Sequence, residues 1–405
     1  MKALRSLGVR NFRLYFLGQL VSASGENMQL VGVAWLVLHL SSNRGVIVGV
    51  VIAAEYLPVL LFGTWAGVVA DRLDRWTVVM CTQTSMGVLA GILTGLTYAG
   101  VVQIWMVYLI LALSGCADAL DIPARQAFVS EMVGIADLPN AVGLNSAVFN
   151  AGRIVGPAIG GVVVLGWGTA TCFLLNALSY LAAVVSLAAM RQSELRKSSR
   201  VARMRRQASE GLRYCWREAD IRSTLLLLAI VGTFGINFTI ILPLLAKLTF
   251  RGGPGTYSAM TSALGAGALV GALVIANRSR VTRRVILVAT AAFGAATCLS
   301  AGAPSLAILY PLLALVGCCW IVLVAASNAL IQLVAVPEMR GRAMSFRAIM
   351  TVGSTAIGGP IIGWVSQDFN TRWAFALGGI ASLAAAAGYA VFAVRHNWGP
   401  SSVED

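Results

Sequence analysis

The chain is dominated by apolar segments that recur along its whole length. A stretch of about 20 apolar residues crosses the hydrocarbon core of a bilayer as a helix. Since 58% of the 405 residues are hydrophobic and only 11% are charged, the composition does not suit a soluble protein. We predict an all-α integral membrane protein with twelve transmembrane helices, near residues 13–38, 46–70, 76–99, 103–123, 140–165, 170–190, 223–246, 257–277, 284–302, 305–333, 343–366 and 373–394.

Positive charge is distributed unequally between the two sets of predicted loops. The chain has 30 Lys and Arg residues, of which Arg153 lies within a span. One set of loops contains only Arg44, Lys247, Arg251 and Arg372, and the other set, with the termini, contains the remaining 25. Cytoplasmic loops carry the excess of Lys and Arg. This predicts a multi-pass protein of the inner or plasma membrane with both termini in the cytoplasm. The net charge of +14 is then a topology signal, and no nucleic-acid partner is expected.

One long polar segment, 191–222, divides the predicted spans into six and six. We interpret it as a cytoplasmic basic linker between an N-terminal six-helix bundle (1–190) and a C-terminal bundle with a short cytoplasmic tail (223–405). Within the linker, residues 208–216 also fit an amphipathic helix on the inner leaflet, although a solvated tether is the simpler interpretation.

The two halves contain related sequences. Gly-Pro-Ala-Ile-Gly at 156–160 matches Gly-Pro-Ile-Ile-Gly at 359–363, and Arg75 has a counterpart at Arg278 within one residue of the same offset. A parallel repeat of this kind predicts two six-helix bundles that are related by pseudo-two-fold symmetry and that rock around a central site.

A charged motif, Gly67-Val68-Val69-Ala70-Asp71-Arg72-Leu73-Asp74-Arg75, follows the second predicted span. It resembles the Gly-x-x-x-Asp-Arg-x-x-Arg loop signature of the major facilitator superfamily, which implies a transporter and not an enzyme. A carboxylate at a helix end beside arginines can hold the cytoplasmic helix ends together. Asp118 and Asp121 are the expected partners of Arg75. The predicted latch comprises Gly67, Asp71, Arg72, Arg75, Asp121 and Arg125.

Glycine recurs every fourth residue in the fifth predicted span. The segment resembles the signature of proton-coupled exporters in the same superfamily, which implies export over import. Physically, such a glycine strip lets a second helix approach closely, and the eighth span offers Gly267 and Gly271 as a counterpart. The residues of this motif are Gly152, Gly156, Pro157, Gly160 and Gly161.

Three further segments, 11–22, 123–127 and 210–214, look like the branch that contains enterobactin exporters and macrolide-efflux proteins. In that branch an acid after a glycine is typical of the first span, and Gly25-Glu26 fits. The arginine motif that many drug–proton antiporters carry in the fourth span is absent here. Arg153 is the candidate replacement.

Acidic side chains within spans are the strongest functional signal, because a charge at the bilayer centre costs roughly 2.5–3.5 kcal/mol on insertion scales. The proton-coupling candidates are Glu26, Glu55, Arg153 and Asp118. The alternatives are a structural Glu26, a Glu55 in an outer vestibule, and an Arg153 that pairs with an acid or binds an anionic substrate. The polar candidates for the substrate cavity are Gln19, Ser22, Gln29, Asn150, Asn237, Asn328 and Thr351, of which the first three share one helix face with Glu26.

The sequence thus predicts a secondary exporter of amphipathic small molecules that is driven by proton antiport and functions as a monomer in the lipid bilayer. A dedicated siderophore exporter is the first alternative, and a metabolite importer of the same fold is the second. We expect no catalytic residue, no metal site and no cofactor besides the proton gradient, since the chain has two histidines and no Gly-x-x-x-x-Gly-Lys-Ser/Thr loop.

Overall fold

The computed structural model describes residues 2–70, 72–134, 137–196, 207–278, 282–336 and 339–395. Every regular element in these ranges is helical. Three single turns of π geometry also occur, at Val231–Gly235, Leu245–Thr249 and Ile349–Gly353. The α-helices are α1 (Arg10–Leu40), α2 (Gly45–Ala70), α3 (Arg75–Tyr98), α4 (Ile104–Met132), α5 (Leu138–Ala188), α6 (Gln207–Arg217), α7 (Ala219–Ile230), α8 (Phe238–Leu244), α9 (Pro254–Ala276), α10 (Arg283–Ala301), α11 (Leu306–Val334), α12 (Arg340–Ala348), α13 (Thr355–Asp368) and α14 (Thr371–Arg395).

Ten helical stretches, counted over the described residues, are long and apolar enough to cross a membrane. The 51-residue α5 is one of them, although Gly168 interrupts it with φ 82° and ψ 174°. That break lies between the fifth and sixth predicted spans, and a left-handed φ of this kind favours glycine. The predicted first span, α1, is not among the ten, because its polar stripe lowers the hydropathy of the helix.

The fourth span is longer than its apolar pattern predicted. The predicted span ends at residue 123, whereas α4 continues to Met132 with Pro123 inside it. Its last two turns contribute Phe128, Val129 and Met132 to a buried core, so packing and not hydropathy sets the end of the helix.

Part of the predicted linker is folded. Residues 207–217 form α6, and its Glu210 carboxylate lies 3.2 Å from the Arg342 guanidinium. The Val336 backbone N–H donates to the Tyr214 hydroxyl at 3.1 Å, and Cys215 is fully buried. Burial raises the pKa of the Cys215 thiol above its usual range. This part of the linker is therefore a packed helix, and the interpretation as a solvated tether is wrong for it.

The contacts divide the chain into two compact units. The first comprises Met1–Asn43, Ala54–Arg203 and Gly252–Ser262. In it α1 packs along α5, and α3 packs against both α4 and α5. Phe12, Tyr15, Phe128 and Leu187 are buried at its core, where the rings of Tyr15 and Phe128 meet edge to face with centroids 6.1 Å apart.

The second unit comprises Arg44–Ala53, Met204–Arg251 and Ala263–Asp405. Here α10 packs against α11 and α14. The Phe238 ring contacts the rings of Phe293 and Phe375, each at a centroid distance of 6.2 Å. The first turns of α2 also belong to this unit, since a Cβ on Gly49 would collide with the backbone oxygen of Gly359.

Candidate functional site

A small cavity in the first unit is lined by side chains from α1, α2, α3, α4 and α5. Its volume is about 30 Å³, which is room for about two water molecules. Three carboxyl groups line it, those of Glu26, Glu55 and Asp118, and we call it the acid cavity. The remaining lining residues are Gln29, Leu30, Val33, Met86, Leu111, Ser114 and Tyr180.

Glycines next to these acids bring the helices together. Gly25 precedes Glu26, and a Cβ on it would meet the side chain of Ser179 on α5. Gly115, one turn before Asp118, leaves no room for a Cβ beside the backbone oxygen of Glu55. Because α1 approaches α5 and α4 approaches α2 so closely at this level, the acids converge although they are far apart in sequence.

The acids of the cavity contact no described cation, although the Arg125 guanidinium acts on Glu26 and Asp118 through space. Among the described side chains, none forms an ion pair or a hydrogen bond with Glu26, Glu55 or Asp118. One oxygen of Glu55, Oε2, is buried without a hydrogen-bond donor. A buried carboxylate without a donor is costly, so this group is suited to binding a proton or a hydrogen-bond donor. Glu55 lines this cavity together with Glu26.

A second polar network lies beside the cavity and contains a buried ion pair. The Arg125 guanidinium bonds to the Asp121 carboxylate at 3.1 Å and donates to the Gln19 amide oxygen at 3.0 Å. Thr82 and Gln83 on α3 donate to the same carboxylate at 2.6 and 3.3 Å. Asp121 and Arg125 are thus buried partners of each other within the first unit.

Two residues that were predicted to line the substrate cavity bond to this network instead. Gln19 is 1% exposed and accepts the bond from Arg125, while Ser22 is 2% exposed and donates to Gln83 at 3.4 Å. Gln29 differs, since it lines the acid cavity and accepts a 2.7 Å bond from Asn176.

The remaining latch residues are placed differently from the prediction. Arg75 forms a 3.0 Å ion pair with Glu131 near the end of α4, and both side chains are largely buried. The expected acids are engaged elsewhere, Asp121 with Arg125 and Asp118 in the acid cavity. Sequence reasoning missed Glu131 because the predicted fourth span ended before it. Gly67 lies in α2, Arg72 is exposed, and Asp71 lies outside the described residues.

The glycine strip of α5 packs on α1. Each of its three glycines faces an α1 backbone oxygen, so that a side chain there would force the helices apart. The expected counterparts Gly267 and Gly271 instead pack against α11, and of this motif only Gly161 faces the start of α9, at Ser258. Pro157 is buried within the strip. A Cβ on Gly152, Gly156 or Gly160 would lie 2.9, 2.6 or 3.0 Å from the backbone oxygen of Ala23, Ser24 or Met28.

Arg153 lies on α5 beside this strip and is exposed. No described acid forms an ion pair with it, and it does not line the acid cavity. The Arg153 guanidinium therefore acts on the Glu26 carboxylate through space and forms no contact ion pair with it. Asn150, one turn earlier, donates to the backbone oxygen of Ser146 at 2.9 Å.

The candidates of the second unit bond mainly within their own helices. Thr351 donates to the backbone oxygen of Arg347 at 2.7 Å, and Asn328 accepts a 3.4 Å bond from Gln332. Asn237 is fully buried and donates to the backbone oxygen of Thr233 at 2.7 Å, but its Oδ1 accepts from no donor among the described residues.

Asn237 marks an irregularity that sequence reasoning missed. It lies where the seventh predicted span is interrupted, between the π turn Val231–Gly235 and α8. That turn packs on another π turn, Ile349–Gly353, since a Cβ on Gly232 would lie 2.6 Å from the Met350 oxygen. Gly232 and Gly235, close together in an apolar span, were the available signal.

The chain matches one protein-family model over almost its whole length. A family model described as a transmembrane secretion effector, MFS_3, matches residues 2–400. The staphyloferrin A transporter of Staphylococcus aureus is 25% identical over 264 residues, which is 65% of this chain and 66% of that protein. This chain therefore spans just under two thirds of that relative.

Two other relatives align over a larger and a smaller share of the chain. The multidrug efflux pump Tap of Mycobacterium tuberculosis is 27% identical over 361 residues, which is 85% of this chain and 84% of the pump. Macrolide efflux protein A of Streptococcus pyogenes is 22% identical over 240 residues, which is 59% of each chain.

Solved structures share the fold. The nucleoside transporter NupG superposes with a TM-score of 0.75 at 12% identity, covering 94% of this chain and 98% of the other. A bacterial homologue of the human lysosomal transporter Spinster, inward-facing and occupied, gives a TM-score of 0.75 at 13% identity and covers 97% and 99%. At these identities the likeness concerns the fold alone.

Proposed function

The chain belongs to the transmembrane secretion effector family of the major facilitator superfamily, and on that premise we propose that it exports amphipathic small molecules in exchange for protons. It is a multi-pass membrane transporter and not an enzyme. The proposal needs no cofactor besides the proton gradient, and one copy of the chain is the functional unit.

The topology we propose has twelve spans in two six-helix bundles related by a pseudo-two-fold axis. Counting α1 as a span and dividing α5 at Gly168 raises the ten apolar stretches to twelve. The excess of Lys and Arg on one side supports a cytoplasmic location for both termini.

The acid cavity is the observation that carries the coupling proposal. Its three carboxyl groups share about 30 Å³ and form no contact ion pair with a described residue. A proton is the smallest ligand that neutralises a carboxylate in such a space. Glu26 is the principal candidate, since α1 also contacts the α5 glycine strip and, through Gln19, the Arg125 network. A change of charge at Glu26 thereby acts on two helix contacts within the first bundle and can shift the population of its conformational states.

The latch is proposed to hold one end of the first bundle. Arg75 and Glu131 tie the start of α3 to the end of α4 at 3.0 Å. An ion pair of this kind stabilises one conformational state over another, and its loss shifts the population of states. Asp71, in the same motif, is assigned to the latch on the resemblance alone.

Two substrate classes follow from different observations. The efflux pumps among the relatives favour a lipophilic drug-like substrate. The staphyloferrin A transporter and the exposed Arg153, which pairs with no described acid, favour an anionic siderophore. The first class is our principal proposal, because the pump Tap aligns over the larger share of the chain.

Inside-out membrane vesicles from an efflux-deficient host test the proposal. A respiratory pH gradient is established, and a lipophilic cation, a neutral macrolide or an iron-free carboxylate siderophore is then added. We expect the drugs, and not the siderophore, to dissipate the gradient only in vesicles that contain the protein. If the siderophore alone dissipated the pH gradient, an anionic siderophore would replace the drug-like compound as the proposed substrate. If the expressed protein responded to none of these compounds, the proton-coupled export of these classes would be rejected.

A further inference from the structure

A groove on the second unit combines an apolar wall with two cationic side chains at one end. It lies between α10, α11 and the end of α9, and its volume is about 330 Å³. The wall includes Val288, Ala292, Cys318 and Val322, and the cationic end carries Arg278 and Arg284. We call it the α10 groove. Neither the acid cavity nor the latch shares any residue with it.

The two arginines at the groove are available for a ligand. Both are exposed, and neither forms an ion pair with any described residue. Arg283 shows the contrast, because it pairs with the largely buried Asp220 carboxylate inside the unit. At the start of α10, Arg283 therefore pairs inside the unit, whereas its neighbour Arg284 lines the groove.

The start of α10 adds further attraction for an anion. Its N-cap residue, Thr282, makes no side-chain capping bond. The first backbone N–H groups of a helix lack partners within the helix and carry a partial positive charge. Thr282 and Arg284 both line the groove, so this helix end and the guanidinium groups act at the same place.

The wall of the groove belongs to a surface that suits lipid. Val288 is 59% exposed and lies within the apolar stretch Arg283–Ala301, which is long enough to span a membrane. An acyl chain is the apolar ligand that the surrounding bilayer supplies to such a wall. Guanidinium groups bind phosphate oxygens in a bidentate manner, and each basic residue near an anionic leaflet contributes to the attraction.

We propose that the α10 groove binds one anionic phospholipid of the cytoplasmic leaflet, with the phosphate at Arg278 and Arg284 and one acyl chain along the apolar wall. The assignment to this leaflet rests on the topology given under the proposed function. Binding itself requires only the groove, so it is measured without a proton gradient or a transported substrate.

Native mass spectrometry of the delipidated full-length protein tests the proposal. Phosphatidylglycerol and phosphatidylcholine with identical acyl chains are titrated separately. We expect phosphatidylglycerol to bind more tightly, and the double variant Arg278→Gln/Arg284→Gln to bind it about 30-fold more weakly, from about 1 kcal/mol for each arginine. The control Arg44→Gln/Arg251→Gln removes the same charge from exposed residues outside the groove and should change the affinity less than about twofold, because neither residue lines the groove.

A second variant keeps the test independent of charge. Val288→Trp places a larger side chain on the apolar wall, which narrows the groove and should weaken the binding of both lipids. Equal binding of the two lipids by the wild type, an unchanged affinity in Arg278→Gln/Arg284→Gln, or an equal loss in the control would overturn the proposal. Competition by inorganic phosphate or by a transported drug would also overturn it, since the groove would then be a free-anion site or a substrate path. Failure of lipid binding leaves the transport measurement in vesicles unaffected, so the two proposals fail separately.

Discussion

Gly156→Ala tests whether the α5 glycine strip holds α1 in place. A Cβ at this position would lie 2.6 Å from the Ser24 backbone oxygen and 2.6 Å from the Asn27 Cβ. Neither atom is the mobile end of a side chain, so α1 and α5 must separate. The fifth helix contains its own control, because a Cβ on the exposed Gly143 meets nothing within 4 Å.

We expect the two substitutions to change the free energy of unfolding in opposite directions. Ala is favoured over Gly inside a helix by about 0.8–1.0 kcal/mol, and both variants gain this term. Overpacking costs about 1–3 kcal/mol and applies only to Gly156→Ala. We therefore expect the free energy of unfolding of Gly156→Ala to lie about 1–3 kcal/mol below that of Gly143→Ala.

Thermal unfolding of the detergent-purified variants, followed by tryptophan fluorescence, measures this difference. For a domain of about 200 residues, 1 kcal/mol corresponds to about 2–4 °C, so Gly156→Ala should unfold roughly 2–12 °C below Gly143→Ala. Because Glu26 lies on α1, transport should fall in Gly156→Ala and not in Gly143→Ala. A Tm for Gly156→Ala equal to or above that of Gly143→Ala would refute the packing argument.

Three further predictions concern the paired charges and the topology. Arg125→Gln leaves the Asp121 carboxylate buried without its cation, which costs about 3–5 kcal/mol, so the yield of folded protein should fall; Asp121→Asn in the same chain should restore part of it, and no recovery would contradict the pairing. Asp71→Asn should reduce transport while membrane abundance stays near normal, and transport at the parental rate would contradict a latch role. A tag inserted before α6, at residue 207, should be protected in intact cells, and labelling from outside would reverse the topology.

The helices were largely predictable because the membrane imposes a length and an apolar composition on each span. The break at Gly168 falls between two predicted spans, and α14 (Thr371–Arg395) covers the last predicted segment. Helix ends were less predictable where packing continues past the apolar region. The last turns of α4 are the example, since Phe128, Val129 and Met132 are buried there although charged and polar residues alternate with them.

The candidate acids could be named from sequence, but their arrangement could not. An acid within an apolar span indicates function, and this signal pointed to Glu26, Glu55 and Asp118. Their convergence depends on close helix contacts at Gly25 and Gly115, which the spacing within a single helix does not reveal.

Ion partners were the least predictable feature. Spacing within one helix pairs Asp121 with Arg125, four residues apart, and this pair is present. Arg75 pairs instead across helices with Glu131, and Arg153 pairs with no described acid. Such contacts depend on the mutual rotation and length of two helices, which a single sequence does not determine.

Gradient-driven export in proteoliposomes tests the central claim, that the acid cavity exchanges protons with the exported substrate. Wild type, Glu26→Gln, Glu55→Gln and Asp118→Asn are reconstituted, and uphill transport of a neutral drug is measured per molecule of carrier under an imposed pH gradient. Glu218→Gln, at an exposed acid outside the cavity, is the control. We expect Glu26→Gln to lose the dependence on the pH gradient and the control to keep it. Undiminished gradient-driven export by all three cavity variants would contradict the account.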